Sequence, residues 1–297
     1  MLGKLIKNEW KSTYRIGCLM LIVLAGITFL GWLAFQSPMW QTLADDNYYY
    51  RAAFGVNILN LVSVFTLILY FIMLVAVSVG IIAYLGVRFY RTMYTDEGYL
   101  THTLPVTEGQ ILFTKTLVSG IWILIISLGI ILSVFVILLF MISAILPADY
   151  TLSDFWWELQ RMYEEARMEE IIAIMEQELG MNFRGYFVYM IISLIIGSFT
   201  SIMTLFGAIS LGQIFTKHRV LMAIASYIAV NMFRGTVSSI VEGIVTGVYA
   251  NSRSESFTIV GSYINANMII QFVLSVLFAA GLYLVSYLVN TRKLNME

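Results

Sequence analysis

The chain has 297 residues, 60% hydrophobic and only 12% charged, with a formal net charge of −1 and a mean hydropathy of +0.84. This composition excludes an ordinary water-soluble domain and makes the bilayer the principal solvent. One cysteine, Cys18, excludes an intrachain disulfide and a thiolate metal cluster, and the balanced charge gives no reason to expect a nucleic-acid partner.

Residues 1–15 read as an interfacial helix. Lys4, Lys7, Lys11 and Arg15 follow helical spacing on one stripe, while Leu2, Leu5, Ile6 and Trp10 form an apolar face suited to the surface of a leaflet. The same basic residues also serve as a plain positive-inside anchor, and both readings stay open. The apolar run that follows continues through Phe29, Leu30, Trp32, Leu33 and Phe35 with no small-residue cleavage site, so it predicts an uncleaved span instead of a signal peptide.

A span needs about 20 largely apolar residues, and a charge at its centre costs a few kcal/mol, so charge-free intervals locate the crossings. Five such intervals place helices near 16–35, 58–87, 112–146, 186–215 and 265–289. The stretch 220–250 is interrupted by Arg234 and Glu242, yet counting it as a crossing puts all six lysines on one face together with Arg15, Arg88, Arg91, Arg219 and Arg292. The expectation is an all-α integral membrane protein: one transmembrane domain over 1–297, six transmembrane helices and both termini cytoplasmic by the positive-inside rule. The expected location is the plasma membrane.

Between the second and third spans, residues 88–111 form the longest internal cytoplasmic segment. Gly98 and Pro105 punctuate it, and Thr107 with Gln110 has the spacing of a capping box that starts the third helix. Tyr94, Tyr99, Leu100 and Leu104, taken as exposed, are more apolar than a tether requires and suggest a contact surface. Gly109 to Thr116 has near-P-loop spacing, but bulky Ile111, Leu112 and Phe113 and the absence of the second glycine argue against phosphate binding.

Lys4-Leu-Ile-Lys-Asn-Glu-Trp-Lys11 at the N-terminus and Asp96-Glu-Gly-Tyr-Leu-Thr-His-Thr-Leu-Pro105 after the second span together resemble the permease subunits of ABC exporters of the type-two, or type V, fold. The resemblance in hydropathy covers the whole chain. It implies an N-terminal elbow helix carrying Lys4, Lys7, Trp10 and Lys11. It also implies a coupling segment in which Asp96, Glu97, Gly98, Tyr99, Leu100, Leu104 and Pro105 contact a cytosolic ABC ATPase subunit. The implied assembly pairs this chain with a second, identical or related, permease. ATP and magnesium would be bound by the ATPase, and no cofactor by this chain.

The largest outer segment, 147–185, carries Thr151 and Asp154 as a capping box and Phe155, Leu159, Met162 and Ala166 at helical spacing against an acidic face of Glu158, Glu164, Glu165 and Glu169. An acidic amphipathic helix is expected there. In 220–262, Arg234 and Glu242 stand eight residues apart, about 12 Å along a helix, and do not face each other. Two readings of 236–262 stay open: a continuous long helix, or re-entrant helices before the last span, as the resemblance implies, with Glu242 in an outer vestibule. Asn231, Arg234, Glu242 and Gln271 are candidate pathway or vestibule residues, although amides also serve as interhelical hydrogen-bonding groups.

Catalysis by this chain is not expected. Glu164-Glu165-Ala-Arg167 has no metal motif beside it, and the only histidines, His102 and His218, fall on the opposite side. The leading expectation is an ATP-driven exporter subunit. The alternative is a membrane sensor or immunity scaffold that binds a peptide through the acidic outer loop.

Overall fold

The computed structural model describes residues 2–35, 40, 58–103, 105–145, nine positions between 153 and 176 (153–154, 156–157, 160–161, 172–173 and 176), 183–215, 217–250 and 257–292. The described regular structure is helical: α1 (Leu2–Ala34), α2 (Ile58–Tyr94), α3 (Asp96–His102), α4 (Glu108–Ile145), α5 (Phe183–Gly212), α6 (Arg219–Ala250) and α7 (Phe257–Arg292). All but α3 are long and apolar enough to cross a membrane, which makes this a multi-pass membrane protein.

These helices overshoot the expected spans. At 1.5 Å per residue, the 37 residues of α2 and 38 of α4 reach about 55 Å, against a hydrocarbon layer of about 30 Å. The charged flanks are helical too, because nothing near them breaks a helix. This changes two sequence expectations. Residues 1–15 are not a separate interfacial helix: α1 is unbroken from Leu2 to Ala34, and no glycine or proline lies between Lys4 and Ile16 to interrupt it. The segment 88–111 is likewise narrower than expected, since α2 runs on to Tyr94 and α4 starts at Glu108.

At that start the expected capping box is formed in both directions. The Thr107 backbone N–H donates to Gln110 Oε1 at 3.3 Å, and the Gln110 N–H donates to Thr107 Oγ1 at 3.4 Å. The re-entrant reading of 236–262 gives way to the long helix over its described part. α6 is continuous to Ala250, and Gly235, Gly243 and Gly247 sit in open surroundings, where a glycine lowers helix propensity without ending the helix. Residues 251–256 lie outside the described residues, as does most of the expected acidic helix in 147–185.

The chain divides into two compact units: residues 1–12, 82–124 and 169–297, and residues 13–81 and 125–168. In the first, α5 packs against α6 and α7, and α6 against α7. Small residues set the approach. A Cβ on Gly207 would lie 2.5 Å from Leu282 Cβ, one on Gly212 2.4 Å from Ala223 Cα, and one on Gly120 2.4 Å from the Phe199 ring. Phe89 of α2 stacks on Phe206 of α5 with centroids 3.9 Å apart.

In the second unit, α1 and α4 meet where Gly129 lies against Leu24 and Gly31 against Ile137. Thr28 Oγ1 and Ser133 Oγ are 2.7 Å apart, and the Tyr70 hydroxyl is 2.9 Å from Ser133. The carbonyl of Ala34, one of the acceptors that a helix end leaves open, receives the Trp40 indole N–H and the Ser63 hydroxyl.

Candidate functional site

The residues between α2 and α4 form a small knuckle. Thr95 is extended (φ −114°) and breaks α2 from the seven-residue α3, and its hydroxyl bonds back to the Arg91 carbonyl at 2.6 Å. The Gly98 N–H donates to Thr95 O at 2.7 Å. Gly98 is buried against the end of α2, where a Cβ would come within 2.8 Å of both Met93 C and Met93 O. Backbone atoms do not move aside as a flexible side chain does, so this approach requires glycine.

With Gly98 turned inward, α3 presents Asp96, Glu97 and Tyr99 outward, Tyr99 being 61% exposed. Glu97 takes a bond from Arg91 Nη2 at 2.6 Å, between exposed partners. Pro105 is exposed as well, whereas Leu104 and the side chain of Leu100 lie outside the described residues. Tyr94 departs from the expected contact surface and turns inward. Its hydroxyl donates to Asn290 Oδ1 of α7 at 2.6 Å and lies 2.7 Å from Ser210 Oγ of α5, which is in turn 2.7 Å from Ser286 Oγ of α7. The end of α2, immediately before the knuckle, is thus tied by hydroxyl and amide groups to α5 and α7.

A second polar cluster lies in the same unit. Glu9 Oε1 accepts from Arg88 Nε at 3.1 Å and lies 3.1 Å from Arg88 Nη2 in an ion pair, while Glu9 Oε2 lies 3.5 Å from Lys115 Nζ. Lys115 also donates to Thr92 Oγ1 at 2.7 Å. The side chains are 16% (Glu9), 13% (Arg88) and 6% (Lys115) exposed, so the triad holds α1, α2 and α4 together away from bulk water. Beside it Trp10 stacks on Trp122 with centroids 5.0 Å apart.

Lys4, Lys7 and Lys11 are exposed on the other side of α1, which retains the predicted division into basic and apolar faces. Of the apolar face, Trp10 stacks on the protein's own Trp122 while remaining partly exposed. Lys115, the lysine of the near-P-loop, is buried in the triad, and the residues around it are the first turns of α4.

The candidate pathway residues are not brought together. Asn231 is exposed and bonds its own helix at Tyr227 O, 2.8 Å away. Among the described residues Arg234 and Glu242 make no ion pair, and Glu242 is exposed. Among the described residues Gln271 makes interhelical hydrogen bonds, accepting from the Ser238 hydroxyl and donating to Ser238 O at 3.2 Å. That is the expected role of an amide joining two helices.

Sequence reasoning missed the Glu9 triad and the Tyr94 network. Glu9 carried one signal, being the only acid before Asp45 in an otherwise basic N-terminal stretch. Tyr94 carried none. Comparison with protein-family models, curated proteins and solved structures finds no match to this chain.

Proposed function

We propose that this chain is the permease subunit of an ATP-driven exporter of the ABC type, forming the translocation path as one of a pair of six-span subunits and drawing its energy from a separate cytosolic ATPase. The observation that carries this reading is the knuckle: a short helix between two membrane-crossing helices, seated on Met93 by Gly98 and turning Asp96, Glu97 and Tyr99 outward. A bare connection between two spans needs only a few polar residues. A rigidly seated helix with an exposed aromatic residue suits a docking contact, since aromatic anchors dominate such contacts.

In this mechanism the ATPase binds and hydrolyses ATP with magnesium and displaces α3. The displacement passes through the Gly98–Met93 contact to the end of α2, and through Tyr94 to α5 and α7. The two permeases shift between inward-facing and outward-facing states, a two-state equilibrium biased by nucleotide. This chain performs no covalent chemistry.

The test is purification of the full chain from its native host in mild detergent, with identification of proteins that accompany it. An ATPase of the ABC class is expected with wild type and lost with the Glu97→Ala/Tyr99→Ala double variant. Both side chains are exposed, so the permease itself stays folded. Consistent recovery without any ATPase, under conditions that preserve other transporter complexes, would overturn the reading in favour of a sensor or scaffold.

A further inference from the structure

The second unit contains a cleft of about 560 Å³ between α1 and α4, running from Leu21 to Trp32 on one wall and from Gly129 to Phe140 on the other. We propose that it holds one acyl chain of a membrane phospholipid, taken from the leaflet opposite the basic end of α1.

Both walls belong to charge-free stretches of membrane-crossing helices, so the medium at its mouth is hydrocarbon. Its lining has no charged residue, and its two hydroxyls are already committed. Thr28 donates to Leu24 O at 2.8 Å and pairs with Ser133, which pairs with Tyr70. A floor with its hydrogen-bonding groups satisfied internally offers little to water or a polar solute, since a bound water needs two or more polar partners.

The dimensions favour a lipid chain. From Leu21 to Trp32 is about 16 Å along the helix, which is half of a hydrocarbon layer of about 30 Å, the reach of a chain from one leaflet. The volume falls within the roughly 300–1,000 Å³ of sites that enclose small molecules.

The direction follows from Trp32. It lies seventeen residues beyond Arg15, about 26 Å of rise, which places it near the far headgroup boundary, where tryptophan concentrates. There it meets Phe29 at 5.3 Å and Phe140 at 6.2 Å between centroids. An acyl chain lying in the cleft with its ester end beside these rings would have its headgroup in the far interface.

The full chain, reconstituted in phosphatidylcholine vesicles containing phosphatidylcholine with a photoreactive diazirine acyl chain, is irradiated, and the labelled peptides are mapped. Label is expected to concentrate on segments 21–32 and 129–140, about tenfold above that on the exposed lipid-facing positions around Phe65 and Phe71, the ratio of a site favoured by about 1.4 kcal/mol. Ala25→Phe and Val136→Phe, each filling the cleft from one wall, are expected to bring that excess down to background. Wild-type label spread evenly over the lipid-facing helices overturns the proposal whether or not the variants fold. So does an excess that survives in both folded variants.

Discussion

Replacing Glu9 with glutamine keeps the shape of the side chain and removes the one negative charge that Arg88 and Lys115 share. At 3.1 Å from Arg88, with an effective dielectric constant of about 20, the gross attraction is about 5 kcal/mol. Desolvation offsets much of this in the intact protein. In the variant, two cations remain largely buried beside each other without the carboxylate that bridged them, a situation that costs about 3–5 kcal/mol.

At about 2 °C of melting temperature per kcal/mol for a chain of this size, Glu9→Gln is expected to melt about 6 °C or more below wild type. The assay is the loss of the monodisperse peak in size-exclusion chromatography after heating in detergent. Lys7→Gln, which changes an exposed charge on the same helix, serves as the control. Adding Lys115→Met to Glu9→Gln removes one of the stranded cations and should recover part of the loss, the coupling that a double-mutant cycle measures. If Glu9→Gln melts within about 1 °C of wild type, the triad contributes no net stability and the reasoning fails.

Tyr94→Phe deletes the hydroxyl that joins α2 to Asn290 and Ser210. With the buried amide oxygen left unmet, it should cost about 1–3 kcal/mol in the same melting assay. Gly207→Leu forces a side chain into the backbone of Leu282 and is expected to abolish the monodisperse peak; a normal peak would show that α5 and α7 are not packed so closely. Arg91→Gln, in contrast, breaks an ion pair whose partners are both more than half exposed. It should shift melting by under about 1 kcal/mol, the range of surface salt bridges, and a larger loss would mean that the pair is shielded from water.

The spans were legible because the cost of a charge in hydrocarbon is paid locally, residue by residue, and so is written as intervals along the chain. The start of α4 was legible for the same reason, since Thr107 and Gln110 satisfy each other within one turn. The Glu9 triad joins residues 79 and 106 positions apart, and nothing in the spacing of Arg88 or Lys115 marks them as partners instead of flanking charges. Tyr94 was misread as an outward aromatic because its neighbours in sequence are polar. Its direction is set by where α2 stops and by the hydroxyls of α5 and α7. The overshoot of the helices was missed because hydropathy ends a span at the first charge, whereas a helix ends where its backbone loses partners or meets a breaker.

Arg88 and Lys115 have different surroundings during biogenesis. Before Glu9 reaches them they are unpaired cations, and cations weigh in the choice of membrane side whereas nearby carboxylates contribute little to it. Only after α1, α2 and α4 have assembled does Glu9 neutralise part of their charge. A residue count that orients the nascent chain is therefore larger than the charge which the folded protein displays at that surface. Glu9→Gln should accordingly leave the insertion orientation intact while weakening the finished fold, so topology and stability draw on the same side chains at successive times.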